Sequence, residues 1–596
     1  MKTNKIDKNS DIYKIRHSMA HIMASSVLKL YPDVKFGFGP PVEHGFYYDF
    51  DFGEHTLEEK DLKAIKKQMF KIINKDDAFI LDTLSISSAL DKFEKQQQIY
   101  KIEQINKLKN QGFNEVSTYT TGDFSDLCEG PHVASSKELK NVSFSLDRIS
   151  GAYWLGYEKN KMLTRIYALC YQSEDELKEF TLRRAIAMKN DHKKLGKELD
   201  LFLIDDSVGK GLILWTPNGT IIRDEIEKYA KEIEFRYGYK RVSTPHIAKE
   251  ELYLQSGHLP LYAESMFPPI TVEEGGEVKE KFYLKPMNCP HHHKIYASNL
   301  RSYKELPLRL AEYGTCYRFE QSGELSGLLR VRGLTMNDAH IYCSEEYLEE
   351  ELRAILKMYT EVYDTFGLKN YYFRLSVRGE DNIDKFVGDK DLWDKAEKAL
   401  EDILNQASIE FEVGEGEAAF YGPKIDIQFT NLMGREETVS TIQVDFQAPI
   451  KFDLTYVAES GEQKRPVIIH RAPLSTHERF TSFLIEHFGG AFPVWMAPLQ
   501  VMIIPVSNVF EEYCEKIKQE LRSDYLRVES DVSDNSLNKK IRLNVKKKIP
   551  ILLIIGENEV KNEEVTIRRY GKPEQQTVKA VKFIEDLKNE IKTRSL

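Results

Sequence analysis

The sequence predicts an α+β protein of several domains: a mixed α+β module, then a central antiparallel sheet flanked by helices, then a smaller α/β module with a parallel core. Three observations carry this. At 596 residues the chain exceeds what one hydrophobic core organises. Between about 203 and 496, extended segments such as "YKRVSTPHI" and "KIDIQFT" alternate with long helical ones. In the last hundred residues "QVMIIPV", "YLRVESD", "ILLIIG" and "EVTIRRY" alternate with amphipathic helices, the pattern of a small sheet with buried parallel strands.

Composition narrows the class. Apolar residues make up 41% and charged residues 30%, which fits a soluble globular protein. "IPILLIIG" at 549–556 is too short to cross a bilayer, and the N-terminal stretch has no apolar core of a signal peptide, so a cytoplasmic location is expected. Cys128, Cys170, Cys289, Cys316, Cys343 and Cys514 are scattered, so reduced thiols are the default. The net charge of −10 argues against a uniformly basic surface, but not against local basic patches that grip a polyanion.

Taken in order, residues 1–172 alternate short β-like and helical runs. "RHSMAHIM" sets His17 and His21 four apart, on one face of a helix. "DLCEGPH" sets Cys128 and His132 four apart beside Asp126. Such a set can bind zinc, or position water without metal, or be a histidine-rich core helix beside an unrelated turn. Residues 173–202, polar and charged, suit a connecting helix.

Within 203–496, "FYLKPMNCPHHHKIY" holds Cys289 followed by His291, His292 and His293. Structural zinc sites use spaced pairs, and three adjacent histidines cannot all point at one ion, so any metal here needs donors from distant segments. "TCYRFEQSGELSGLLRVRGLTMNDAHIYC" at 315–343 reads as a hairpin whose long loop gathers three arginines and two glutamates around a glycine turn. Guanidinium groups forking toward one point suit a triphosphate. In "HRAPLSTHERFTSFLIEHFGG" Arg479 opens an amphipathic helix, whose N–H groups also favour anions. Residues 497–596 include "NKKIRLNVKKK", with six basic residues among eleven, either a phosphate-attracting patch or a solvated helix face.

These segments resemble motifs 2 and 3 of the class II aminoacyl-tRNA synthetases, and "YKRVSTPHI" resembles motif 1. "GPPVEHGFYYDFD" and "AYWLG…KMLTRIYA", with the histidine–cysteine set, resemble the editing domain of the threonyl branch. The chain is therefore similar to the threonyl-tRNA synthetases over nearly its whole length. That resemblance implies an editing domain at 1–172, a connecting helix at 173–202, a class II catalytic domain at 203–496 and an anticodon-binding domain at 497–596. It implies ATP-dependent ligation of L-threonine to tRNA(Thr) through an adenylate, hydrolysis of mischarged seryl-tRNA, and a homodimer.

By position, the resemblance assigns Arg318 to bridge the amino-acid carboxylate and the α-phosphate, and Glu320 to read adenine. Arg330 and Arg479 would hold the outer phosphates with Mg2+, and His258 would help remove the ribose proton. Cys289, His340 and His470 match the family's zinc ligands. Asp338, on the strand face of His340, would take the substrate ammonium, and Tyr421 and Gln443 would complete the pocket. The set His17, His21, Tyr48, Lys101, Asp126, Cys128 and His132 would form the editing site, which in this branch is taken to act with water and without metal. Glu559 and Arg568 match anticodon contacts. His291–His293 are then bystanders, packing or facing solvent.

Leu334, Met336, Thr438, Ser475, Thr476 and Asp534 stand where phenylalanine, glutamine, glutamine, glycine, serine and asparagine are common. The small N-terminal extra domain of many bacterial members is not expected. A non-catalytic relative that only binds RNA is the alternative class; the intact arginines and zinc ligands speak against it.

Overall fold

The computed structural model describes residues 7–379, 386, 390–419, 422–431, 434 and 436–596. Contacts divide the chain into two compact units, Met1–Ala185 and Ile186–Leu596.

The first unit opens with α1 (Asp11–Leu30). Ser10 caps it by accepting from Tyr13 N, and Asp11 in the first turn favours the positive end of the helix dipole. The buried run from Arg16 to Val27 makes α1 the spine of this unit. Met19, Ile22 and Met23 pack with Phe46, Phe50 and Ile65 in one core. At roughly 1.5–3 kcal/mol for each large apolar side chain removed from water, this face fixes the helix in place. Strand β1 (Gly45–Asp51) belongs to a five-stranded sheet, and β2 (Ile80–Ser85) to a three-stranded one. Helix α2 (Ile99–Asn110) follows. Strands β3 (Glu115–Thr121) and β4 (Phe124–Leu127) complete the smaller sheet in the order β2-β3-β4. Strands β5 (Ser143–Tyr153) and β6 (Met162–Tyr171) complete the larger, where β6 lies antiparallel between β1 and β5.

The expected single connecting helix is two. Helix α3 (Glu174–Asn190) contains the boundary between the units, and α4 (His192–Glu198) restarts after Asp191. The Asp191 carboxylate accepts from the N–H groups of Lys193 and Lys194, which breaks the run into two helices by supplying a new N-cap.

The second unit begins its main body with α5 (Pro217–Arg236) and the short β7 (Lys240–Arg241), followed by α6 (Cys289–Ala297). Then come β8 (Leu308–Tyr317), β9 (Gly333–Cys343), β10 (Tyr371–Val377), β11 (Phe411–Glu415), β12 (Lys424–Thr430), β13 (Glu436–Asp445) and β14 (Val467–Arg471). Among the described residues these form an eight-stranded sheet in the order β7-β8-β9-β14-β13-β12-β10-β11. The inner pairs are antiparallel as the sequence suggested, but each edge strand runs parallel to its neighbour. Both edge strands are short and carry no hairpin connection, so alternation alone did not reveal their direction. The expected hairpin with a long loop is β8–β9.

Helix α7 (His477–His487) is capped by Thr476, whose hydroxyl accepts from Arg479 N at 3.1 Å. Threonine caps nearly as well as serine, so this departure keeps its function. Ser475 sits at φ 49°, where the more usual glycine is free of strain.

The C-terminal part holds β15 (Val501–Pro505), β16 (Val528–Ser530), α8 (Leu537–Lys546), β17 (Ile551–Ile555), α9 (Glu557–Asn562), β18 (Glu564–Arg569) and β19 (Gln575–Lys579). Strand order is β16-β15-β17-β18-β19, parallel at β15–β16 and β15–β17 and antiparallel beyond. The apolar β15 and β17 are buried along their length, as a parallel core requires. Among the described residues no helix is long and apolar enough to cross a membrane.

Candidate functional site

One cavity of about 540 Å3 in the second unit is lined at one part by Arg318, Arg330 and Arg479, and at another by Cys289, His340 and His470. The open loop of the β8–β9 hairpin supplies Arg318 and Arg330, and the N-terminus of α7 supplies Arg479. Asp338, Gln443 and Glu320 line the same space. Tyr421 lies outside the described residues.

The three arginines differ in their holding. Arg318 Nε donates to Pro286 O at 3.3 Å. Arg330 is gripped by acids, with Nε 2.8 Å from Glu320 Oε2 and Nη2 3.0 Å from Glu324 Oε2. Arg479 is mostly buried, and its Nε has no hydrogen-bond partner. Burial draws its guanidinium below the usual arginine range; Glu437 and Glu320 oppose this, while Arg318 and Arg330 add to it. Three guanidinium groups lining one part of the cavity are chemically suited to an anion such as phosphate. Leu334 and Met336 give it apolar walls, and the Thr438 hydroxyl donates to Gln428 Oε1 at 3.0 Å.

At the other part, β9 and β14 pair in register at His340 and His470, and α6 begins with Cys289. The ligand atoms of Cys289, His340 and His470 all lie within 4.8 Å of one another. His340 Nε2 is buried without a hydrogen-bond partner. Burial, reinforced by His470 and His292, holds His340 well below the ordinary histidine range, and burial beside Asp338 and Asp445 lifts the Cys289 thiol well above its own. One soft and two borderline donors, one with an orphaned lone pair, fit zinc with part of its shell left open. Asp338 accepts from Asn288 Nδ2 at 3.3 Å, and burial raises its carboxyl. The Gln443 side chain donates to Gly422 O at 3.1 Å.

Of the two alternatives for His291–His293, packing or facing solvent, packing holds, but His292 is not a bystander. All three are buried, and His292 touches a metal-donor candidate, its Nδ1 lying 2.8 Å from Nδ1 of His340. His293 Nδ1 lies 2.9 Å from the Tyr342 hydroxyl. Adjacent residues of a helix point about 100° apart, and the sequence did not say that α6 is enclosed on several sides.

His258 does not line the large cavity. It lines a smaller one that shares Cys289 and His470, with Nδ1 2.7 Å from Ser256 Oγ and Nε2 3.2 Å from Met287 Sδ. Burial lowers it to about 4, so it is neutral at physiological pH.

In the first unit all seven singled-out residues come together. The ligand atoms of His17, His21, Cys128 and His132 lie within 4.8 Å of one another. Cys128 Sγ is 3.3 Å from both His17 Nε2 and His132 Nε2, and receives Gly130 N at 3.3 Å. Beside them, Asp126 accepts from the Tyr48 hydroxyl and pairs with Lys101 Nζ at 2.5 Å, both partners buried. Burial lowers His17 to about 4 and takes His21 and His132 down as well. Burial and Asp126 push the Cys128 thiol up to about 12.

A third potential metal group, Asp191, His192 and Glu486, was not anticipated. His192 spends both ring nitrogens, with Nδ1 2.7 Å from Glu486 Oε1 and Nε2 accepting from Leu328 N at 3.2 Å. It is thus a tie from α4 to the loop that carries Arg330. In the C-terminal sheet Glu559 is engaged on both oxygens, accepting from Gly556 N and from Thr566 Oγ1, each at 2.8 Å. Thr566 and Arg568, two apart on β18, share one face of that strand. The basic run forms α8, in which Lys540 is buried.

Residues 271–488 match the tRNA synthetase class II core domain (G, H, P, S and T), residues 500–590 the anticodon binding domain, and residues 116–167 the threonyl and alanyl tRNA synthetase second additional domain. The threonine–tRNA ligase of Geobacillus sp. (strain WCH70) is 44% identical over 579 residues, 97% of this chain and 88% of its own. That of Azobacteroides pseudotrichonymphae genomovar. CFP2 is 43% identical over 576 residues, 96% of this chain and 88% of its own. Among solved structures, the RNA binding domain of threonyl-tRNA synthetase from Cryptosporidium parvum Iowa II superposes with a TM-score of 0.63 at 35% identity, over 67% of this chain and 98% of that one.

Proposed function

The chain belongs to the threonyl-tRNA synthetases, a family of aminoacyl-tRNA ligases, and from that premise we propose that it works through a threonyl-adenylate and removes serine from mischarged tRNA(Thr) at a second site. The observation that carries the proposal is the single cavity lined both by three arginines and by Cys289, His340 and His470. A triphosphate and an amino acid held in one space are the two reactants of adenylate formation.

In this reading Arg318 joins the threonine carboxylate to the α-phosphate, so that a carboxylate oxygen attacks phosphorus and pyrophosphate leaves. Arg330 and Arg479 take the outer phosphates together with Mg2+, and Glu320, released from Arg330, reads the adenine amino group. Asp338 receives the substrate ammonium, with Gln443 beside it in the pocket. Cys289, His340 and His470 would hold zinc. Bound there, it would supply Lewis acidity that favours a substrate carrying a hydroxyl. An apolar pocket alone separates threonine from valine by no more than roughly a hundredfold. The ribose of tRNA then takes the threonyl group; His258, neutral in its pocket, serves as proton acceptor once it turns from Ser256 and Met287.

Serine keeps the hydroxyl and lacks one methyl, worth about 1–3 kcal/mol, so a second site is needed. His17, His21, Tyr48, Lys101, Asp126, Cys128 and His132 form it. A thiol held near pKa 12 is a poor nucleophile at neutral pH, so water is the attacking group. Residues 1–172 are the editing domain, 173–202 the connection, 203–496 the catalytic domain and 497–596 the anticodon reader, through Glu559, Arg568 and the basic α8. The working form is a cytoplasmic homodimer.

Amino-acid-dependent pyrophosphate exchange tests this reading, with zinc content measured on the same sample. Threonine should support exchange, serine less, and valine essentially none, with about one zinc per chain. Strong activation of valine would overturn the pocket argument.

A further inference from the structure

Behind His340 lies a second imidazole, and behind that a carboxylate. His292, on α6 and fully buried, sets Nδ1 2.8 Å from His340 Nδ1 and Nε2 3.1 Å from Glu312 Oε2. Glu312, on β8 and also buried, accepts from Thr244 N at 2.7 Å and from Thr244 Oγ1 at 2.9 Å, with Lys285 Nζ 3.8 Å away. Surrounded by donors and an ammonium, it is a carboxylate.

A carboxylate only accepts, so the His292 proton sits on Nε2. In a neutral imidazole the other nitrogen then accepts, and His340 must donate to it from Nδ1. The lone pair of His340 is left on Nε2, the buried atom without a partner. His470 is bonded outward in one step: its Nε2 lies 3.1 Å from Asp445 Oδ2, while Asp445 Oδ1 accepts from the N–H groups of Gln447 and Ala448 at 2.7 and 2.9 Å. Each imidazole of the donor set thus faces an acceptor on its far side. For His340 the carboxylate is one residue further away, and His292 transmits it.

We propose that Glu312 and His292 form a relay that fixes the His340 proton on Nδ1 and presents Nε2 as a metal ligand, which makes both of them positioning residues for the ion that selects the hydroxyl-bearing substrate. The relay rests on the zinc reading of the cavity and adds to it two residues that touch neither metal nor substrate. Outer partners of this kind typically change metal affinity 10–100-fold.

The test is the zinc dissociation constant of the full chain, measured by competition with a chromophoric chelator. His292→Leu removes the acceptor and should weaken zinc at least 10-fold. His292→Asn keeps an amide oxygen near the place of Nδ1 and should recover most of that loss. Glu312→Gln lets an amide N–H donate to His292, turns both protons around, and should weaken zinc as much as His292→Leu. Should His292→Leu fail to fold, the pair Glu312→Gln and His292→Asn decides. Wild-type affinity in a folded His292→Leu or Glu312→Gln protein, or equal loss in His292→Leu and His292→Asn, overturns the relay. A wild-type chain that binds no zinc overturns instead the reading of the cavity, and the two failures are distinct.

Discussion

The cysteine–histidine cluster of the first unit and that of the second use the same residue types in burial, yet their inward-facing atoms are engaged differently. In the first, His17 Nδ1 lies 3.2 Å from Pro131 O, which only accepts, so His17 Nε2 is left to accept from the Cys128 thiol. His132 contacts the same sulfur through Nε2 and Ser18 Oγ through Nδ1 at 3.1 Å, and Val133 N donates to Ser18. Three of the four donors are satisfied by one another. In the second, the far nitrogens of His340 and His470 are bonded outward to His292 and Asp445. The clusters differ in what their inward atoms touch: in the first the Cys128 sulfur meets two imidazole nitrogens, whereas in the second His340 Nε2 has no partner.

Breaking either side of this contrast should give separable losses. The largest falls on Cys289→Ala: threonine-dependent pyrophosphate exchange should drop about a thousandfold, worth roughly 4 kcal/mol, and zinc should fall from about one per chain to near zero. Deacylation of seryl-tRNA by the same protein should persist. Lys101→Met comes next, since it strands the Asp126 carboxylate in a buried site; a loss of about 3–5 kcal/mol is expected, visible as faster hydrogen exchange of α1 amides.

Acid sharpens the contrast further. His17 titrates near 4 in the fold against about 6.5 when free, so between those values the unfolded chain binds the proton first. Stability of the first unit should be complete above pH 6.5 and drain by about 3 kcal/mol as pH falls toward 4, with His21 and His132 acting in the same direction. Denaturant titrations across that range check it. Cys128→Ala should slow seryl-tRNA deacylation about a hundredfold without lowering zinc content. The smallest effect is at Ser475→Gly, where relief of the left-handed backbone at φ 49° should change stability by less than about 1 kcal/mol, measured by thermal unfolding.

Much of this was legible in the sequence because periodicity carries it. His17 and His21, four apart, had to share a helix face, and Asp338 and His340, two apart, had to share a strand face. The β8–β9 hairpin and the apolar β15 and β17 were visible for the same reason. What stayed hidden depends on long-range packing. Adjacent His291, His292 and His293 look alike in a string, and only the enclosure of α6 shows that His292 reaches Glu312 and His340. His192 and Leu328 are joined across the fold with no spacing to announce it. Glu559, matched to an anticodon contact, also closes the first turn of α9, a role its neighbour Gly556 does not reveal in sequence.

X-ray absorption at the zinc edge, on the full chain with and without threonine, tests most directly whether the two clusters differ as described. The account requires one zinc per chain bound by one sulfur and two imidazole nitrogens, gaining light-atom donors when threonine is added. A shell of one sulfur and three imidazoles, or two zinc ions per chain, would place metal in the first unit and contradict it.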